Sequence, residues 1–158
     1  GNMFFGVVRY GNVLASRGSV IELWREQEKV GPITITDPNM TRFILTPEMA
    51  VEWAYGVLTR GEVHGVYIPK LKSSTVRMLA NVAAPGARWK EIGIRPGEKM
   101  HEELTAPEEV RLLHEWEKGY VIMPNIINPH PPMKRPYTSE AAERMTEEEL
   151  RRLLEEGL

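Results

Sequence analysis

Short runs of apolar and β-branched residues alternate with segments that carry helix-start signals along most of this 158-residue chain. The run at 4–8 is continuously apolar, as in a buried strand, and Ile33-Thr34-Ile35-Thr36 alternates as in a half-buried one. Strands are predicted at 4–8, 33–36, 63–69, 89–94 and 119–123, with an extended segment at 42–45. Helices are predicted at 19–30, 46–58, 73–82, 107–117 and 146–155. This alternation predicts an α/β fold.

Most of the predicted helices begin at a serine or threonine that can cap the first turn. Two of these caps are completed by a glutamate three residues later, and one is followed by proline at the first helical position. The capping residues are Ser19 with Glu22, Thr46 with Pro47, Ser73 or Ser74, and Thr146 with Glu149.

The stretch 124–136 contains five prolines and is predicted to be an irregular loop or an arm that wraps a neighbouring molecule. It separates two predicted regions. Residues 1–123 would form the α/β body, and residues 124–158 the proline-rich arm with a terminal helix.

Composition excludes several functional classes. The chain has no cysteine, so it forms neither disulfides nor thiolate metal sites, and we expect a cytoplasmic location. No apolar run approaches the length of a membrane span, so no membrane association is expected. Residues 1–100 carry 13 Lys and Arg against 9 Asp and Glu, whereas 101–158 carry 7 against 13. This mildly basic first part suits a small anionic ligand and is too weakly charged for nucleic acid.

Asn12 and the segment Arg17-Gly18-Ser19 are the first candidate site residues. Asn12 follows a predicted strand, where α/β proteins bind their ligands, and its amide could contact phosphate or sugar hydroxyls. The unpaired N–H groups at the helix start after Arg17 could hold an anion. Two simpler interpretations stay open, namely a turn that tolerates asparagine and an ordinary capped helix.

Arg42, in Met40-Thr41-Arg42-Phe43, and Arg95, in Arg95-Pro96-Gly97-Glu98, are the candidate anion ligands. A guanidinium in the apolar setting of Arg42 needs a partner, either a diphosphate or a buried carboxylate. The second motif is a tight turn that could aim Arg95 at phosphate and Glu98 at ribose hydroxyls, or it is simply a surface turn.

Neither metal chemistry nor glycoside hydrolysis is expected from the remaining polar residues. The histidines lack the second histidine four residues on that zinc-protease motifs require, so they are interpreted as solvated residues. The paired glutamates, such as Glu102-Glu103, are adjacent rather than facing, which does not suit a glycosidase.

Five segments in order, with two weaker ones after them, resemble the C-terminal half of the nucleotide-sugar 4,6-dehydratases of the extended short-chain dehydrogenase/reductase superfamily. The likeness is greatest to the UDP-N-acetylglucosamine 4,6-dehydratases, the CapD-like polysaccharide biosynthesis proteins. The segments are Arg9–Val20, Pro32–Asp37, Met40–Phe43, Val66–Lys70 and Ile92–Glu103, then Gly119–Pro124 and Tyr137–Ser139. The resemblance implies an incomplete Rossmann-type parallel sheet with a small substrate lobe, in which the N-terminal cofactor-binding part is absent.

The resemblance also implies roles for individual residues. Asn12 would contact the sugar nucleotide and the cofactor, and Val13 would lie near the nicotinamide. The helix start, with Arg17, Ser19 and Val20, would cover the substrate. The uracil pocket would be lined by Thr34, Ile35 and Thr36. Arg42 and Arg95 would clamp the diphosphate, and Glu98 would bind the ribose.

The sequence departs from this family in two respects. It contains no G-x-x-G-x-x-G motif for NAD(P) and no Tyr-x-x-x-Lys pair for catalysis. We therefore expect no catalytic residue, no metal and no cofactor in this chain alone, although the full-length family uses NAD(P).

Three hypotheses follow. The chain is a split or truncated dehydratase that acts beside an N-terminal Rossmann half in trans, a non-catalytic module that binds a UDP-sugar, or a self-associating remnant. In the isolated chain the predicted strand 4–8 would lack neighbours, so we expect a homo-oligomer.

Overall fold

The computed structural model describes residues 3–14 and 18–156, which form eight β-strands, four α-helices and one 3-10 helix. The strands are β1 (Gly6–Val8), β2 (Ile33–Ile35), β3 (Thr41–Phe43), β4 (Gly65–Pro69), β5 (Ser73–Thr75), β6 (Trp89–Glu91), β7 (Leu113–Trp116) and β8 (Gly119–Ile122). The helices are α1 (Val20–Glu28), α2 (Pro47–Arg60), α3 (Val76–Ala83) and α4 (Glu147–Glu156), with the 3-10 helix at Pro107–Leu112. The predicted α/β class is confirmed.

The main sheet has the strand order β1-β4-β8-β7. β1 and β4 run parallel, with Gly6 opposite Gly65, while β4, β8 and β7 are joined in antiparallel pairs. Two smaller ladders complete the fold, a parallel pair of β2 with β6 and an antiparallel pair of β3 with β5. The carboxyl ends of β1 and β4 therefore lie at the same edge of the main sheet, which is where α/β proteins place their ligands.

Two hydrophobic clusters bury most of the core. One joins α1, β2, α3 and α4 through fully buried side chains such as Trp24, Ile33 and Leu150. The other lies between the main sheet and the tail and includes Phe43, Ile68 and Tyr137. Residues after 123 thus contribute to both cores. Residues 124–136 form neither helix nor strand, as the prolines predict.

β1 is an edge strand in the described part of the chain, and alternate apolar side chains of β1 and of the residues before it are exposed. Met3, Phe5 and Val7 are 68%, 64% and 58% exposed. The prediction of a buried strand at 4–8 is therefore wrong for this chain, because only β4 pairs with β1. The outer face of α2 adds an apolar stripe of Val51, Tyr55 and Leu58, all exposed.

The prediction of a helix at 107–117 is also wrong. Pro107 and the acidic residues after it start only a 3-10 helix, and Leu113–Trp116 then forms a hairpin with β8. Glu117 turns the hairpin with a positive φ of 47°, and Gly119 lies so close to the Trp53 ring that a β-carbon would overlap it. Pairing with the adjacent strand β8 has outweighed the local helix signal here.

Two of the predicted caps differ from those in the structure. Ser73 and Ser74 lie in β5, paired with β3, and the cap of α3 is Thr75, whose Oγ1 accepts from the Met78 N–H at 3.1 Å. Ser19 makes no capping hydrogen bond, and the Glu22 carboxylate accepts from the Gly18 N–H. The caps at Thr46 and at Thr146 with Glu149 are confirmed.

Within the described residues, no helix is both long and apolar enough to cross a membrane. The same residues hold no group of three histidine, aspartate or glutamate side chains arranged to bind a metal ion.

Candidate functional site

A cavity of about 440 Å³, the site cavity, opens beyond the end of β1, between the start of α1 and strands β2 and β3. Its lining comes from segments that are far apart in the sequence. Ten of the eleven predicted site residues line it: Asn12, Val13, Ser19, Val20, Thr34, Ile35, Thr36, Arg42, Arg95 and Glu98. The remaining one, Arg17, lies outside the described residues. The structure thus brings together residues that the sequence predicted separately.

Apolar side chains that the sequence analysis missed also line the site cavity, beside its polar groups. Trp24 and Leu79 are buried in its wall, whereas Leu23 and Ile92 are exposed beside the opening. The spacing of Val20, Leu23 and Trp24 on one helix would have predicted a face of α1 that contacts the cavity. An apolar wall with a few polar groups is typical of a small-molecule site.

The start of α1 presents a hydroxyl that has no partner in the described part of the chain. The Ser19 Oγ is buried and has no hydrogen-bond partner among the described residues. A buried hydroxyl that forms no hydrogen bond costs free energy, which a ligand in the cavity could recover. The Gly18 N–H, by contrast, already donates to Glu22 at 2.7 Å.

Thr34 is held by the side chain of Gln27. The Thr34 N–H donates to Gln27 Oε1 at 2.8 Å, and Gln27 Nε2 donates to Thr34 Oγ1 at 2.9 Å. The Trp24 Nε1–H also donates to the Thr34 carbonyl at 2.8 Å. Because these hydrogen bonds occupy the polar groups of Thr34, this residue forms a rigid part of the cavity wall.

Arg42 is fixed at the inner end of the cavity with its guanidinium turned toward backbone carbonyls. Its Nη1 donates to the Thr41 and Met100 carbonyls at 2.8 and 3.3 Å. The Glu102 carboxylate lies 3.9 Å from its Nε, and both side chains are about four-fifths buried, at 19% and 21% exposure. The sequence left open whether Arg42 pairs with a diphosphate or with a buried carboxylate. The structure places the Glu102 carboxylate near Arg42, at a distance too long for a hydrogen bond.

The Glu102 carboxylate also accepts from the Phe43 N–H at 2.8 Å. Burial raises the pKa of Glu102, and the Phe43 N–H and the Arg42 charge only partly oppose this increase. The negative charge of Glu102 is therefore poorly stabilised, and its pairing with Arg42 is weak.

Arg95 lies on the turn that the sequence predicts. The Glu98 N–H donates to the Arg95 carbonyl at 3.0 Å, and Gly97 has a φ of 87°, which together define a type II turn. Arg95 is exposed, and its guanidinium has no hydrogen bond or ion pair among the described residues. The Glu98 carboxylate accepts from the Arg95 N–H at 3.2 Å, which stiffens the turn.

A second cavity of about 480 Å³ adjoins the first. Asn12, Arg42 and Glu98 line both of them, so these three residues form the boundary between the two spaces. Tyr10 and Glu102 lie on the far side of this boundary. A ligand that extends past Arg42 would enter the adjoining cavity.

Arg9 supports the site although the sequence analysis gave it no role of its own. Its guanidinium donates to both oxygens of Glu109, at 2.7 and 3.0 Å, and to the Leu104 carbonyl at 3.1 Å. This bidentate pair lowers the pKa of Glu109. It ties the end of β1, and hence Asn12, to the 3-10 helix.

The profile of the family described as "Polysaccharide biosynthesis protein" matches residues 1–124, and the chain belongs to this family. It is 40% identical over 124 residues to the UDP-N-acetylglucosamine 4,6-dehydratase (inverting) of Campylobacter jejuni, covering 77% of this chain and 37% of that protein. The predicted resemblance is thereby confirmed.

Two further relatives match almost the whole chain. An uncharacterized membrane protein of Methanocaldococcus jannaschii, MJ1061, is 37% identical over 164 residues, covering 96% of this chain and 49% of that protein. The X-ray structure of Pen from Bacillus thuringiensis superposes with a TM-score of 0.82 at 31% identity, covering 97% of this chain and 49% of Pen. The chain therefore spans half or less of the length of these three proteins.

Proposed function

We propose that this chain binds the UDP part of a UDP-hexose of the UDP-N-acetylglucosamine class, as the substrate-binding part of a nucleotide-sugar enzyme of polysaccharide or glycan biosynthesis. One observation carries the proposal: ten predicted site residues, from five separate segments, line a single cavity that combines apolar side chains with two arginines. The relatives named as dehydratases support the same substrate class.

Each part of the ligand contacts different residues of the site cavity. Arg42 and Arg95 hold the diphosphate, since guanidinium groups bind phosphate oxygens in pairs. The base lies against the wall formed by Trp24 and Ile35, and Glu98 accepts hydrogen bonds from ribose hydroxyls. The Ser19 hydroxyl, which has no protein partner among the described residues, donates to the ligand.

We further propose that the chain does not catalyse the reaction alone. Hydride transfer needs a bound nicotinamide and a base for the hydroxyl proton. The described residues do not fit NAD(P), because β1 leads through Tyr10 and Gly11 to a bridge at Val13 instead of a glycine-rich turn and a helix. A Rossmann half in trans, or elsewhere in a longer polypeptide, would have to supply both groups.

Isothermal titration with UDP and with UDP-N-acetylglucosamine tests the binding proposal. Arg95→Ala removes one exposed guanidinium with no protein partner among the described residues, so the fold should be unaffected. The matched control is Arg88→Ala, which removes the same charge from an exposed residue that does not line the cavity.

We expect Arg95→Ala to weaken UDP binding by about 10- to 100-fold, because a hydrogen-bonded charge contributes about 1.5–3 kcal/mol. Arg88→Ala should leave the affinity unchanged. Adding Arg42→Ala should abolish binding. Absence of UDP binding by the wild-type chain, or equal affinities for Arg95→Ala and Arg88→Ala, would contradict the proposal.

A self-associating module is the second candidate function, favoured by the open edge of β1 and the exposed side chains of Phe5 and Val7. Unpaired strand edges with apolar side chains promote association. A second copy of the chain would cover this edge. Sedimentation velocity should give an oligomer for the wild type and a shift toward monomer for Val7→Lys, with Val30→Lys as the control on another exposed valine. A monomeric wild type would exclude this candidate.

A further inference from the structure

A third cavity lies beyond the end of β4, and nothing in the proposed function uses it. It encloses about 670 Å³ and shares no lining residue with the site cavity. Its floor is the segment after β4 together with Tyr120 of β8, and its walls come from the proline-rich segment and the residues before α4. The lining residues that the argument uses are Lys70, Lys72, Tyr120, Lys134, Arg135 and Tyr137. We call this space the basic cavity.

We propose that the basic cavity binds an anionic saccharide, that is, a sugar that carries a phosphate or a carboxylate. Four cationic side chains, Lys70, Lys72, Lys134 and Arg135, line it against one carboxylate, Glu143. Cations gathered around a concave surface attract anionic ligands.

Two of the four cations are already paired, and two are not. Lys72 contacts Glu143 at 2.9 Å and Glu149 at 2.7 Å, and Lys70 contacts Glu115 at 3.3 Å. Lys134 and Arg135 are exposed and have no ion pair or hydrogen bond among the described residues. These two side chains supply the charge that a ligand would neutralise.

The segment that carries Lys134 and Arg135 is stiff. Pro132 and Pro136 restrict the backbone on either side. Tyr137 then anchors the chain, since its hydroxyl donates to the Leu71 carbonyl at 2.9 Å and accepts from the Leu71 N–H at 2.8 Å. Burial raises the pKa of Tyr137 to about 12, so this phenol stays protonated at neutral pH. The backbone that carries the two cations is thus restricted before any ligand binds, which lowers the entropic cost of ordering this segment on binding.

Size and lining favour a sugar over a lone phosphate ion. The volume falls within the range of about 300–1,000 Å³ usual for small-molecule sites, far more than one phosphate fills. Met133 and Pro136 give the lining apolar surface, whereas the Tyr120 ring is buried and has the Lys70 Nζ 4.9 Å from its centroid. Such a lining accommodates the carbon face of a sugar ring while the cations at the rim hold its charge.

Isothermal titration of the whole chain with glucose 6-phosphate, glucuronate and uncharged glucose tests this proposal. The variant is Lys134→Ala/Arg135→Ala, and its matched control, Arg88→Ala/Lys90→Ala, removes two exposed charges around β6 that line neither cavity. Each titration is repeated with UDP at saturation and with Arg95→Ala. Circular dichroism shows whether each variant is folded.

We expect at least one charged sugar to bind with a dissociation constant of about 1 mM or below, and glucose not to bind. The Lys134→Ala/Arg135→Ala variant should lose at least tenfold in affinity for that sugar while its UDP binding stays unchanged. Binding of glucose 6-phosphate would identify the recognised group as a phosphate, and binding of glucuronate would identify it as a carboxylate. Failure of both charged sugars to bind, equal affinity in variant and control, or displacement by UDP would each overturn the proposal. The UDP titration of Arg95→Ala reports separately on the site cavity.

Discussion

Replacing Glu102 by glutamine should strengthen UDP binding. Glu102 lies 3.9 Å from Arg42, so its charge opposes any anion that Arg42 holds. Glutamine keeps an oxygen that can accept from the Phe43 N–H and removes the charge, whose burial already raises the pKa of this carboxyl. The fold should therefore tolerate the change.

The size of the effect follows from Coulomb's law. A phosphate bound to Arg42 would lie about 8 Å from the Glu102 carboxylate, which gives a repulsion of about 0.5 kcal/mol in water and about 2 kcal/mol at an effective dielectric constant of 20. Because Arg42 and Glu102 are both about four-fifths buried, the true value lies between these limits. UDP affinity should rise by about 2- to 30-fold in Glu102→Gln.

The assay is isothermal titration with UDP at several pH values, with Glu108→Gln as the control on an exposed carboxylate. The folded-state pKa of Glu102 is raised, so lowering the pH through that pKa neutralises Glu102 and should strengthen UDP binding in the wild type. Glu102→Gln should lack this dependence. An unchanged or weaker affinity in Glu102→Gln at neutral pH would refute the assignment of Arg42 to the diphosphate.

Two further predictions concern stability. Tyr137→Phe leaves the buried N–H and C=O of Leu71 without partners. This change should lower the free energy of unfolding by about 2–4 kcal/mol and the midpoint of thermal unfolding by about 4–16 °C. The control, Tyr55→Phe on the exposed face of α2, should leave both unchanged. Gly119→Ala forces a β-carbon against the Trp53 ring and should cost about 1–3 kcal/mol in urea unfolding. Thermal or urea midpoints equal to those of the wild type would contradict the packing described for each residue.

Local signals in the sequence predicted most elements of the fold, and strand pairing decided the structure where they failed. Thr46 and Thr146 cap helices as expected, because a cap depends only on its own first turn. Residues 113–116 form a strand because β8, the next strand in the chain, pairs with them, and this pairing outweighs the helix signal of their own residues. Ser73 likewise lies in a strand because β3, about 30 residues earlier, pairs with it.

The site could be predicted as a set of residues but not as a set of contacts. Asn12 and Arg95 were identified because polar residues after strands and in tight turns are typical of ligand sites, and Arg42 because a guanidinium among apolar residues needs a partner. The pairing of Arg42 with Glu102 and the hold of Gln27 on Thr34 depend on how the elements pack, so no spacing in the sequence indicates them. The basic cavity was missed for the same reason, since its cations come from two segments about 60 residues apart.

A crystal structure of this chain with UDP tests the central claim most directly. The account predicts the diphosphate between the guanidinium groups of Arg42 and Arg95 and the base against Trp24 in the site cavity. UDP bound elsewhere on the chain, or a site cavity that stays empty in crystals grown at saturating UDP, would contradict it.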